Sequence, residues 1–229
     1  MKLKHVIILM AVFLLHSCIV KSLNPFYTED KITSELRLEG KWKSKNGFWE
    51  IKSFEKMWKN IEKNQEETTK EDSEIFERFK HSYAVKYSQN TNKDDSFTES
   101  ALSQSAFIAT AFDVDGHLFL DFFPVEYESD GLNNLVSQHL LSTHSACFVE
   151  FNEDGSFKLK WLDEDVIGRL IENHNLKIKY EQIGYEDDFV LTAKSQELYR
   201  FLQKFMASNI ENKWENDQIY TLAPVDEKQ

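Results

Sequence analysis

The sequence predicts a mainly β domain of antiparallel strands with helical additions, and three observations predict it. The first is Ser105 to Glu126, where two apolar runs flank Asp115-Gly116. That dipeptide readily closes a two-residue hairpin, because both central positions take positive φ. The second is alternation: Tyr83, Val85 and Tyr87 interleave with Ser82, Lys86 and Ser88, as on a half-buried strand. The third is a further strand pair, Ala146–Phe151 and Phe157–Trp161, across the turn Asn152-Glu153-Asp154-Gly155-Ser156. Eighteen Phe, eight Tyr and five Trp suffice for one substantial core, and seven Gly with three Pro speak against a collagen-like or disordered chain.

The 229 residues divide into a leader over 1–17, a tether over 18–35, one β-rich domain over 36–211 and a polar tail over 212–229. Lys2, Lys4 and His5 precede the unbroken apolar run Val6 to Leu15. A run of about ten residues is a secretory leader rather than a span, which takes roughly twenty. Net charge is −12, and loss of Lys2 and Lys4 with the leader makes it more negative. Nucleic acid and anionic lipid surfaces, which need basic patches, are therefore not expected partners.

Within the domain, Leu38–Trp42 and Phe48–Ile51 form the first strand pair across Lys45-Asn46-Gly47. Phe54, Met57, Trp58 and Ile61 recur at helical spacing, as do Ile75, Phe76 and Phe79, so 53–80 is a helical insertion with a charged middle. Pro124 should end the central hairpin, since proline donates nothing to a ladder. Asp163 is placed to cap a short helix reaching Glu172, with Glu164 and Asp165 at its positive end. Lys177–Ile183 and Phe189–Thr192 are the last expected strands. A closing helix carries Leu198, Phe201, Leu202, Phe205 and Met206 as one stripe, to pack outside the sheet. Trp214 and Tyr220 are candidate docking points in the tail.

Leu15-His16-Ser17-Cys18 resembles the bacterial lipobox. That resemblance implies cleavage before Cys18, lipidation of its thiol and amine, and a membrane partner reached through the anchor. The residues after it, Ile19-Val20-Lys21-Ser22, lack the Asp that retains some lipoproteins at the inner membrane, so the expected place is the cell envelope, at the outer membrane where a cell has one. Cys147 is then the one free thiol; in a strand-like run it is expected to be buried and inert. Gly40-Lys41-Trp42 resembles the first-strand signature of the lipocalins, in which the Trp plugs the closed end of an up-and-down barrel. None of Arg37, Arg78, Arg169 and Arg200 matches the Arg that lipocalins lay over that Trp. Together with Asn24-Pro25-Phe26-Tyr27-Thr28, Leu118–Phe122 and Leu191-Thr192-Ala193, the chain resembles the small uncharacterised lipoproteins of the Bacteroidetes type. The fold these resemblances imply is a lipocalin-like barrel with an inserted helical segment and a C-terminal helix.

Phe112-Asp113-Val114-Asp115-Gly116-His117-Leu118 resembles motif one of the haloacid-dehalogenase phosphatases. The resemblance implies Asp113 as nucleophile, Asp115 as acid and base, and magnesium held by their oxygens. Ser142 or Thr143, Lys177 or Lys179, and Asp187 with Asp188 would supply the remaining motifs. His117 stands where that family has Thr, and the strand-like run Leu118 to Phe123 stands where a helix should begin. His139 and His144 are five apart, without a partner at zinc spacing. The function read from the sequence is thus non-catalytic, without metal or cofactor: a lipid-anchored envelope protein with a binding or structural role, its partner a small apolar ligand in the barrel or an envelope protein, unless the strand aromatics simply fill the core. The magnesium phosphatase is the alternative. Gly40, Trp42, Asp115 and Gly116 are expected to be structural.

Overall fold

The computed structural model describes residues 19–62, 69–90, 102–127, 141–183, 188–211, 213–214 and 219–225. Eight antiparallel strands close a barrel: β2 (Gly40–Ser44), β3 (Gly47–Ser53), β4 (Tyr83–Asn90), β5 (Leu102–Val114), β6 (His117–Tyr127), β7 (Ser145–Phe151), β8 (Phe157–Trp161) and β11 (Ile219–Pro224). They follow one another up and down, and β11 closes the ring between β8 and β2. A second, three-stranded sheet joins β1 (Lys21–Ser22) to β10 (Phe189–Leu191) and β9 (Tyr180–Gln182). Four α-helices, α1 (Phe54–Glu62), α2 (Lys70–Phe79), α3 (Glu164–Glu172) and α4 (Ser195–Ala207), and two short 3-10 turns, Glu29–Lys31 and Leu36–Leu38, complete the described structure.

Strand alternation sorts the barrel's side chains. Trp49, Ile51, Val85, Ala109, Ala111, Leu120, Phe122, Cys147, Leu159 and Trp161 point into the lumen and share one core. Phe112, Val114, Phe119 and Ala146, on the other face of the same strands, form a second core outside the wall with α3, α4 and the N-terminal segment. The central hairpin turns at Asp115 (φ 52°) and Gly116 (φ 86°), with Val114 opposite His117. Both turn residues therefore take the left-handed conformation that the dipeptide predicts. β6 runs through Pro124 to Tyr127 rather than ending there. The register shifts at Ala106/Phe107, opposite Pro124, and a bulge is where a strand tolerates a residue with no N–H.

The Gly40-x-Trp42 signature sits at one end of the barrel. Gly40 has φ 147°, and the Trp42 indole lies 3.6 Å from where a Cβ on Gly40 would be. The indole N–H donates to the Leu38 carbonyl at 3.0 Å, and the fully buried Leu38 and the edge of Phe157 pack beside it. Arg37 lies over the Phe151 ring at 3.8 Å instead of over Trp42. An Arg does cover an aromatic at this end, with a different partner.

Two segment boundaries need correction. Residues 19–34 are not a free tether: Ile19 bridges Asp163, Val20 and Phe26 are buried, and Ser22 exchanges backbone hydrogen bonds with His144 at 2.9 and 2.8 Å. Apolar residues there are too sparse to show a period: Val20 and Phe26 dock in the outer core, whereas Leu23 stays exposed. Nor is 212–229 a polar tail, because Ile219–Pro224 is the strand that closes the barrel and Tyr220 packs in the lumen core. A six-residue strand with one fully buried side chain, Leu222, carries too short a pattern to recognise. The strands expected over 177–192 exist, as β9 and β10, but belong to the small sheet rather than the barrel.

Candidate functional site

Aromatic rings cluster in the lumen. Trp49 lies 4.4 Å from Tyr87, 5.5 Å from Tyr220, and 6.5 Å from both Phe122 and Trp161, centroid to centroid. Its indole N–H donates to Ser44 Oγ at 3.2 Å, and that of Trp161 to Ser145 Oγ at 3.3 Å, so each buried indole has a partner. Burial, with Tyr220 close by, pushes the Tyr87 phenol up to about 12. Burial likewise pushes the Cys147 thiol well above its ordinary value, which leaves it protonated and inert.

Open space lies on the outside. Helices α1 and α2 form an antiparallel hairpin over the outer face of β3, β4 and β5, held to each other by Phe54–Phe79 at 5.9 Å and Trp58–Phe76 at 6.2 Å. Beneath it is a groove of about 530 Å³. Its roof is Phe54, Met57, Trp58, Ile75 and Phe79, and its floor is Ala84, Ala106, Ile108 and Val125. Ala84 pairs with Ile108, and Lys86 pairs with Ala106, across β4 and β5. The groove exists because two of these outward positions carry only a methyl group. Glu50, Lys52 and Lys86 are its charged lining. Lys52 is paired with Glu50 at 2.7 Å, while Lys86 is exposed and makes no ion pair with a described residue.

A wider polar cleft of about 1230 Å³ separates the hairpin from the N-terminal segment, with Tyr27, Glu39, Lys56, Arg78, His81 and Tyr83 among its walls. Its cations largely answer its own anions: Lys56 binds Glu39 at 2.8 Å and Lys80 binds Glu77 at 2.6 Å. Behind it is a buried polar cluster on the outer wall. Ser82 and Thr110 hydroxyls meet at 2.8 Å. The Asp121 carboxylate, 2% exposed, accepts from His144 Nδ1–H at 2.6 Å and from the Phe26 backbone N–H at 2.8 Å. Burial raises the Asp121 carboxyl pKa, while His144 and the Phe26 N–H pull it back. Among the described residues no nucleophile shares the His144 contacts, and Asp121 ties the Phe26 backbone of the N-terminal segment to the barrel.

The positions chosen from the sequence fall mostly outside the groove. Gly40, Trp42, Asp115 and Gly116 are structural, as described above, and Cys18 and His139 lie outside the described residues. The Asp113 carboxylate accepts from the Gly116 N–H at 3.1 Å, and Asp115 accepts from Gln203 at 2.8 Å. Strand β6 starts at His117, so the helix and parallel sheet that the phosphatase reading requires are replaced by an antiparallel hairpin. Asp187 lies outside the described residues. Among the described residues no three His, Cys, Asp or Glu side chains converge to hold a metal, and no helix is long and apolar enough to cross a membrane. Sequence reasoning missed the groove because its floor residues, two alanines on strands, carry no chemical signal of their own. Compared with known proteins, the chain matches no family model, no curated protein and no solved structure.

Proposed function

We propose that this is a non-catalytic, lipid-anchored binding protein of the cell envelope, and that its ligand is a small apolar molecule held in the groove under α1 and α2. The observation that carries this reading is the groove itself. A volume of about 530 Å³ falls within the roughly 300–1,000 Å³ of small-molecule sites. Roof and floor are apolar, with a few polar groups at the sides, the usual make-up of such sites. The rings that crowd the lumen favour the outer wall rather than the barrel as the place of binding.

Anchoring rests on the lipobox resemblance at Cys18, with the outer membrane as the expected location where the cell has one. Because Ile19 already bridges Asp163, an anchor at Cys18 would leave the fold close to the bilayer with no free tether. Two measurements test the reading. Native mass spectrometry of protein purified from its own cells should detect a co-purifying apolar species, lost in Ala106→Trp. Retention of the species in that variant, or none in the wild type together with no binding of an apolar dye, overturns the groove. Cell fractionation of Cys18→Ser, with mass spectrometry of the N-terminus, tests the anchor; an unlipidated wild type, or a mutant still held in membranes, overturns it.

A further inference from the structure

We infer that the groove selects an amphiphile with a single anionic head, a long-chain monocarboxylate, whose carboxylate meets Lys86 while its chain lies beneath α1 and α2. This rests on the reading of the groove as a ligand site and adds the chemistry of the ligand.

Among the described residues the charges lining the groove are Glu50, Lys52 and Lys86. Glu50 stands directly opposite Lys86 in the β3–β4 register, yet its carboxylate is engaged by Lys52 at 2.7 Å. Among the described residues one positive charge, Lys86, therefore has no ion-pair partner, in a chain whose net charge is −12. Lys86 lines the groove, with Ala106 across the strand and Ala84 two positions before it on β4, so only methyl groups at those two positions stand between its stem and the floor. A neutral apolar ligand would strip water from that ammonium without replacing its hydrogen bonds, which opposes binding. A carboxylate supplies a charge-assisted hydrogen bond at the same point. One surplus cation matches one anionic group, and the apolar roof of Phe54, Met57, Trp58 and Phe79 suits a hydrocarbon chain rather than a second polar group.

Peptide ligands fit less well. β3, β4 and β5 are each paired on both sides within the barrel, so the floor presents no free strand edge for an added peptide to pair with.

The test is calorimetric titration of the full chain carrying Cys18→Ser, which avoids detergent, with dodecanoate and with dodecanol. Dodecanoate should bind roughly tenfold more tightly, about 1.4 kcal/mol, and added salt should narrow the gap. Lys86→Gln should bring dodecanoate down to the affinity of dodecanol and leave dodecanol unchanged, while Ala106→Trp should abolish both. Equal affinities that Lys86→Gln does not alter, with Ala106→Trp still blocking both, overturn the carboxylate assignment and leave the groove standing. Binding that survives Ala106→Trp, or no binding of either compound, overturns the groove and the assignment together.

Discussion

Helix α4 and the α1–α2 hairpin both cover the outer wall of one barrel, and they cover it in opposite ways. From α4, Leu198, Tyr199, Phe201, Leu202 and Phe205 are buried, against Phe112, Val114 and Phe119 of β5 and β6. The hairpin buries Phe54, keeps no fully buried residue in α2, and leaves Ile75 38% exposed. The wall beneath differs to match: aromatic under α4, alanine under the hairpin. A cover that meets large residues fills its interface and stabilises the fold. One that meets methyl groups leaves a space that the fold does not need and a ligand can use.

The largest test of that contrast compares one ring from each cover. Phe119 is fully buried and lies 5.7 Å from Phe112 and 5.6 Å from Phe148. Phe119→Ala should destabilise by about 3–5 kcal/mol. Trp42→Ala, which empties an aromatic site in the lumen core, belongs in the same range. Phe79→Ala, on the groove side, should cost roughly 1 kcal/mol, the centre of the range for ordinary substitutions. Denaturant midpoints give all three; equal losses for Phe119 and Phe79 would erase the distinction between the covers.

Next in size are two points that fasten the tight side. Asp121→Ala leaves the Phe26 N–H and His144 without their acceptor under the N-terminal segment. It should cost about 1–3 kcal/mol, the price of stranding buried polar groups, and speed hydrogen exchange across residues 19–32. Gly116→Val should cost about 1–3 kcal/mol through backbone strain alone, since no atom lies within 4 Å of where its Cβ would be. An unchanged melting temperature in either variant contradicts the geometry described.

The tight side was legible because its signals are dense and chemical. Asp115-Gly116 marks a turn by its dihedral demands, and the α4 stripe marks a buried face by its period. Asp163 marks a helix start, and its carboxylate does accept from the Val166 N–H at 2.9 Å. What stayed hidden depends on distant partners. Val20 and Phe26 look like isolated apolar residues until β10 and the barrel wall supply their niches. Leu222 alone cannot announce a closing strand. His144, which has no partner at zinc spacing in the sequence, finds its carboxylate 23 residues away. The groove left the faintest trace, because it is made by what Ala84 and Ala106 lack.

The lumen offers a smaller, pH-dependent effect. The Tyr87 phenol stands at about 12 against an ordinary value near 10, so the folded state resists its ionisation. A folded value above the unfolded one means the contribution is complete below pH 10 and is lost as pH rises toward 12. Ultraviolet titration should show Tyr87 ionising late, in company with Tyr27, Tyr83, Tyr199 and Tyr220, which burial also raises, together with a falling melting temperature across that interval. Tyr87→Phe should flatten the fall without changing stability at neutral pH by more than a few tenths of a kcal/mol. A melting temperature constant from pH 10 to 12 would place Tyr87 in water rather than among the lumen rings.

The smallest expected effect on stability tests the loose cover most directly. Ala106→Met adds a flexible apolar side chain to a floor that has room for it, so no overpacking strain is expected. Away from packed cores such changes stay within about 0.5 kcal/mol, and the melting temperature should hold. Binding in the groove should nonetheless fall sharply, because the new side chain occupies the space the ligand would take. The same substitution at Ala111, fully buried in the lumen, should cost about 1–3 kcal/mol by overpacking. Both positions lie on β5, one facing out and the other in, so strand propensity cannot account for a difference between them. Equal destabilisation at both would mean that the outer groove is closed in solution. A silent Ala106→Met that abolishes ligand binding would separate a face kept for packing from a face kept open.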